Sequence, residues 1–116
     1  MTPDRPITKT LSYTIASSTS TAVLGSFPVP KAGLYAGYVY LNFQNSPSGY
    51  RVGEIKKSGG GIGAAVKVLP TQGYTLLMVP FISYFNINDA ITVCACQNSG
   101  TTLSISGYLT YCFLSS

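Results

Sequence analysis

Apolar and polar side chains alternate in short bursts along this chain, and no stretch carries the three-to-four-residue spacing of a helix face. The bursts are rich in Val, Ile, Thr, Tyr and Phe, with Gly, Pro, Asn or Ser between them, which is the pattern of short strands and turns. "TKTLSYTIA" (8–16) alternates hydroxyl residues with other types, as a strand between two environments does. A polar stretch then leads to Val23, Leu24, Phe27 and Val29, and Lys31-Ala32-Gly33 turns the chain into "LYAGYVYLNF" (34–43). "QNSPSG" (44–49) reads as a loop, "YRVGEIKK" (50–57) as a strand and "SGGGIG" (58–63) as a turn. "AAVKVLP" and "YTLLMVPFISYF" lie on either side of Thr71-Gln72-Gly73. After a turn at 86–88 come "AITVCACQ" (90–97), "TTLSIS" (101–106) and "YLTYCFL" (108–114). Asn98-Ser99-Gly100 is expected to join the first two of these as a tight hairpin. Eight to ten short strands at regular spacing predict an all-β, single-domain antiparallel sandwich or jelly roll. Residues 1–7 read as a linker or stalk remnant, and 8–116 as the folded head.

Alternate side chains of a strand share a face. In 90–97 one face carries Ile91, Val93 and Ala95, and the other Thr92, Cys94 and Cys96. In 108–114 the sets are Leu109, Tyr111 and Phe113 against Tyr108, Thr110, Cys112 and Leu114. In 34–43 they are Tyr35, Val39, Leu41 and Phe43 against Leu34, Tyr38 and Tyr40. One set per strand fills a core. The second set is still half apolar and uncharged, whereas a sheet with one wetted face shows a polar outer set. The second face is therefore expected to pack against another copy of the chain.

Composition sharpens this expectation. Charged residues are 9% of the 116, against about 25% in an ordinary soluble domain. Beyond Lys67 the one ionic residue is Asp89. The uncharged run 68–88 is long enough to span a bilayer, but Pro70, Gln72, Gly73, Thr75, Pro80 and Asn86 interrupt it, so no membrane span is expected. The opening "MTPDRPITKT" lacks the apolar stretch of a secretory leader. Net charge is +4, and the basic residues are scattered apart from Lys56-Lys57. That pattern allows non-specific anion binding and speaks against a nucleic-acid partner.

The order "AGLYAGYVYLNF", "GYRVGEIKKSGGG", "GYTLLMV", "NINDAITVCACQNSG", "LSISGYLTYCFL" resembles the C1q/TNF-like jelly-roll family over about residues 8–116. Asn88-Asp89 stands where that family usually has Gly-Asp, and Gly107-Tyr108 replaces its aromatic-first final strand. The loops are short, and no collagen-like stalk is present. The resemblance implies a ten-strand jelly roll in a tight homotrimer. Carried over by position, it places Tyr38, Tyr40, Cys94, Cys96, Tyr108 and Cys112 near a threefold axis. Similar heads with compact loops cap bacteriophage receptor-binding proteins and tail fibres, where they bind cell-wall saccharide. A virion setting, at a phage tail tip or fibre, is thus the first expectation. The head of a bacterial collagen-like surface filament comes second, and an animal signalling ligand last.

Catalytic chemistry finds little support. The chain has no histidine, so histidine triads and histidine metal sites are excluded. Cys94, Cys96 and Cys112 lack a fourth ligand and read as small buried hydrophobes. A Cys94–Cys96 bridge is disfavoured because i,i+2 strand residues sit about 7 Å apart, and Cys112 reaches either neighbour only if the two strands pair. Glu54 and Asp89 are the one carboxylate pair a glycosidase reading has, and Asp89 is expected to serve a turn instead. "SGGGIGAAVK" has its lysine misplaced for a phosphate loop. A non-enzymatic protein without cofactor or metal is expected. Saccharide sites combine aromatic platforms with amides and arginine, and the loop candidates are Tyr50 with Arg51, Gln72 with Tyr74, and Tyr84 with Asn86 and Asn88. The expected partners are further copies of this chain and a bacterial surface polysaccharide. A trimerisation cap that binds nothing is the competing expectation.

Overall fold

The period-two runs of the sequence become strands. The structure is a computed structural model and describes residues 5–58, 60–70 and 73–116. Among these, all regular structure is β: β1 (Ile7–Ile15), β2 (Ala22–Pro28), β3 (Gly33–Phe43), β4 (Arg51–Lys57), β5 (Gly60–Val68), β6 (Thr75–Phe85), β7 (Ala90–Gln97) and β8 (Leu103–Ser115). A front sheet has the order β1-β8-β3-β6 and a back sheet the order β2-β7-β4-β5, with antiparallel neighbours throughout. Apart from the β4–β5 hairpin, each connection crosses from one sheet to the other, which is the winding of a jelly roll.

The two inner faces are the sets the alternation predicts. Tyr35, Val39, Leu41 and Phe43 of β3 meet Leu77, Val79, Phe81 and Phe85 of β6 and Leu109 and Tyr111 of β8. Ile91, Val93 and Ala95 of β7 and Ile55 of β4 close over them from the back sheet. Each large side chain withdrawn here contributes about 1.5–3 kcal/mol, so this layer outweighs any single polar contact in the fold. One end of the sandwich is closed by aromatic packing: Tyr35 lies 5.8 Å from Phe85 and 5.5 Å from Phe113, and its hydroxyl donates to the Lys31 carbonyl at 2.7 Å. β1 begins and β8 ends at this end, because Ile7 pairs with Tyr111 and Leu34 with Ser115.

Four expectations change. Residues 98–100 do not make a hairpin, since β7 and β8 belong to different sheets. The Gln97 side chain directs the crossing: its amide nitrogen donates to the Ile15 and Thr101 carbonyls at 3.1 and 2.7 Å, and its oxygen accepts from Ser99 N–H at 2.8 Å. The two strands expected over 101–114 are a single β8 that runs through Gly107. A Cβ at Gly107 would lie 1.9 Å from the Tyr40 carbonyl oxygen, so glycine there permits close strand approach and marks no turn. Gly60, Gly61 and Gly63 belong to β5, with an irregular register opposite Ile55 and Lys56 and a left-handed Gly63 (φ 79°). Finally, the described residues form eight strands, where the family resemblance implies ten. β1 takes in Ile7, which pairs with Tyr111.

Candidate functional site

The outward face of the front sheet is built in rows by the strand registers. Thr10, Tyr108, Tyr40 and Met78 align across β1, β8, β3 and β6, with Thr8, Thr110, Tyr38 and Pro80 beside them. Ser12, Ser106, Asn42 and Leu76 form the next row, and Cys112, Ala36 and Ile82 lie on the far side. Among the described residues, none of these outward positions carries an acidic or basic side chain. The β1 margin is hydroxylic, with Thr8 and Thr110 oxygens 3.1 Å apart. The β6 margin is aliphatic, with Leu76, Met78 and Ile82 about half or more exposed. Between them Tyr40 stacks on Tyr108 at 5.4 Å and Tyr38 meets Tyr108 edge-on at 6.0 Å. A hydrogen bond between the Tyr38 and Tyr108 phenols pushes the Tyr108 hydroxyl above its ordinary value. The Asn42 side-chain oxygen is covered on this face with no donor among the described residues.

The six residues placed near one axis by the resemblance are divided by the structure. Tyr38, Tyr40, Tyr108 and Cys112 share the outer front face. Cys94 and Cys96 lie on the outer back face, opposite Glu54 and Val52 of β4. β7 runs between β2 and β4, and Cys94 and Cys96 are only 2% and 4% exposed there. Burial pushes both thiols up, Lys56 and Lys67 pull them back, and Glu54 adds to the rise. One axis cannot be lined by both outer faces of a sandwich, so the two cysteines of β7 leave the set. The same division keeps Cys112 from bridging either of them, and the three thiols are free. No group of three metal-ligating side chains occurs among the described residues.

The saccharide candidates also divide, between opposite ends of a body 48 Å long. Tyr50 and Tyr74 lie at the end formed by residues 16–21, 44–50, 69–70, 73–74 and 98–102, where Tyr74 is 61% exposed. Gln72 lies outside the described residues. Tyr84, Asn86 and Asn88 lie at the other end, where Asp89 Oδ2 accepts the Asn86 N–H at 2.7 Å and Asn88 is left-handed (φ 76°). Asp89 is thus a turn residue, as its sequence context predicts.

Arg51 is not a ligand contact, because it is 0% exposed. The period-two pattern of β4 points it inward beside Gln97. Its guanidinium donates to the carbonyls of Ser46 (3.0 Å), Ser48 (2.9 Å) and Tyr50 (3.3 Å), and burial lowers its pKa from the ordinary value. Arg51 and Gln97 therefore plug the loop end of the core and hold its loops. Tyr50 N–H donates to Asn98 Oδ1 at 2.7 Å, and Lys67 Nζ sits 4.2 Å over the Tyr50 ring.

Two concavities escape sequence reading, because each needs strands that are distant in the chain. One, of about 390 Å³, is an apolar crevice between the β5 and β6 margins. The other, also about 390 Å³, opens on the back sheet over Thr92 and Cys94 and is walled by Thr21, Val23, Lys56, Lys57 and Ser58. The Lys56-Lys57 pair was the one available signal for it.

Comparison with known proteins agrees with this architecture. No family model matches the chain. Over 96 residues it is 32% identical to an uncharacterised protein of Acanthamoeba polyphaga mimivirus, covering 78% of this chain and 41% of that protein. The chain thus spans about two fifths of the curated relative it matches. Among solved structures, the Eiger TNF of S. frugiperda superposes with a TM-score of 0.59 at 9% identity, over 97% of this chain and 95% of the other. A protein of the infectious bursal disease virus Gx strain gives 0.56 at 16% identity, over 96% of this chain and 34% of the other. A family 35 carbohydrate-binding module of Clostridium thermocellum gives 0.51 at 14% identity, over 93% and 98%. The fold is a TNF-like jelly roll.

Proposed function

We propose that this chain is the non-enzymatic head domain of a virion receptor-binding or tail-fibre protein, assembled as a homotrimer and adhering to bacterial cell-surface saccharide. The observation that carries the reading is the uncharged outer face of the front sheet. A face of four strands about eleven residues long measures roughly 19 by 36 Å, or about 700 Å². That is close to the roughly 800 Å² each partner gives to a stable interface. A face with aromatics at its centre and no ionic side chain is expensive to leave wet, and a second and third copy are the simplest cover. The viral relative supports a viral particle as the setting. The family 35 carbohydrate-binding module among the fold neighbours supports a saccharide as the ligand.

Light scattering tests the assembly: the expected mass is about three times the 12.3 kDa chain, and a monodisperse 12.3 kDa species that melts cooperatively overturns it. Adsorption of labelled protein to bacterial cells, before and after enzymatic removal of surface polysaccharide, tests the adhesion. The division of the candidate ligand residues between both ends favours one competing reading, a trimerisation cap. A cap forms the trimer and adsorbs to nothing.

A further inference from the structure

Two rows of the outer back sheet build a trough. Val23, Cys94 and Glu54 align across β2, β7 and β4, with Ser26, Thr92 and Lys56 beside them. The middle strand carries short side chains, so a depression of about 390 Å³ opens over Cys94 and Thr92, with Val23 on one bank and Lys56 on the other. Thr21 and Ser58 complete its wall. Lys57 borders it but turns its side chain inward: it lies opposite buried Ile91, and its Nζ donates to the Tyr84 carbonyl at 3.0 Å and sits 6.0 Å from the Phe85 ring. One ammonium, of Lys56, and one carboxylate, of Glu54, therefore serve the trough and balance each other. Their 3.8 Å separation is longer than the roughly 3.2 Å of a direct hydrogen bond, so both keep bonding capacity for a third group. Ser58 Oγ accepts from Ala90 N–H at 3.1 Å and keeps its own proton. The Thr92 and Ser26 hydroxyls lie 3.1 Å apart, a bond that uses one of their two protons.

We propose that this trough binds a neutral saccharide ring through two adjacent hydroxyls, one donating to the Glu54 carboxylate and the next accepting from the Lys56 ammonium. Both bonds are charge-assisted, which makes them the strongest a neutral sugar can form. The hydroxyls of Ser58, Thr21 and Thr92 answer further ring hydroxyls, and exposed Val23 lies against the C–H face. A balanced ion pair among hydroxyls has no surplus charge to attract an anion, so a neutral ring suits it better than an acidic one. A concavity of about 390 Å³ lies at the small end of ligand sites, the size for one or two rings. The inference rests on the adhesin reading for its purpose, and the outer back sheet stays open when the front face is covered.

NMR titration tests it, with glucose, mannose and galactose as probes. Cyclohexanol, a ring with one hydroxyl, and glucuronate, an acidic ring, are the comparators. At least one hexose is expected to move the Glu54, Lys56, Ser58 and Thr92 amides saturably, about fivefold or more tighter than cyclohexanol and no weaker than glucuronate. Glu54→Gln and Lys56→Gln are each expected to weaken binding about fivefold or more. Lys67→Gln, opposite Val52 on the same face but outside the trough, should stay within about twofold. Parent-like melting of the three variants checks that they fold. No saturable shift by any hexose up to about 100 mM, cyclohexanol binding as tightly, glucuronate binding tighter than every hexose, or a loss in Lys67→Gln equal to those at 54 and 56 each overturn the proposal. The cell-adsorption experiment separates the two readings. A protein that adsorbs but titrates no hexose keeps the adhesion and loses this site, and one that titrates a hexose but adsorbs to nothing does the reverse.

Discussion

At Arg51 a charge with no carboxylate partner among the described residues is withdrawn from water and surrounded by main-chain carbonyls. Desolvating a guanidinium costs several kcal/mol, and three charge-assisted bonds at about 1.5–3 kcal/mol each more than offset it. Arg51→Met is therefore expected to lower stability by about 2 kcal/mol and to speed amide exchange in loop 44–50, and a variant more stable than the parent would show that desolvation dominates. Cys94, Cys96 and Tyr111 supply a second residue-scale expectation, because burial raises all three above their ordinary values. As pH rises, the unfolded chain then loses these protons before the folded chain does. Stability is whole below the unfolded thiol value and declines as pH climbs through the folded values. The melting temperature should be level from about pH 6 to 8 and fall above about pH 9, less steeply in a Cys94→Ala/Cys96→Ala variant. A melting temperature that climbs above pH 9 contradicts this assignment.

Among the elements, β8 departs most from its sequence pattern. Gly107 looks like punctuation between two short strands, yet it lies inside the β8–β3 ladder with the Tyr40 carbonyl where a Cβ would stand. A methyl group there meets the Tyr40 carbonyl at 1.9 Å, and neither backbone can yield without breaking the ladder. Gly107→Ala is expected to cost about 3 kcal/mol or more, read as a fall in urea midpoint. Gly60 is the contrast, since a Cβ there has nothing within 4 Å. Gly60→Ala should stay within about 0.5 kcal/mol of the parent or gain slightly from reduced unfolded-state freedom. If the two substitutions cost the same, strand proximity is not what selects glycine at 107.

For the whole molecule the decisive quantity is where charge is absent. The described ionic side chains lie at the ends, on the back sheet or inward, and the front face has none. Tyr40→Lys puts a charge in the middle of the aromatic row. It is expected to yield a monomer by light scattering with unchanged far-ultraviolet dichroism, since burying one unpaired charge per copy costs several kcal/mol while the core is untouched. A Tyr40→Lys protein that keeps its trimeric mass would place the contact elsewhere. The outer back sheet, with Lys56, Lys67 and Glu54, is the face suited to water.

The alternation of side chains alone determined which residues of β3, β7 and β8 face the core, because a strand's period of two is a local property that needs no partner. It also made the shortage of charge legible, and with it the expectation of a covered second face. The assignment of strands to sheets was decided only in three dimensions. Pairing is a contact between distant segments, so Cys94 and Cys96 could be placed beside Tyr38 and Tyr108 by pattern and still lie on the opposite surface. Arg51 shows the same limit at one side chain: its residue type suits a ligand, and the inward register of β4 turns it into the fastening of a loop.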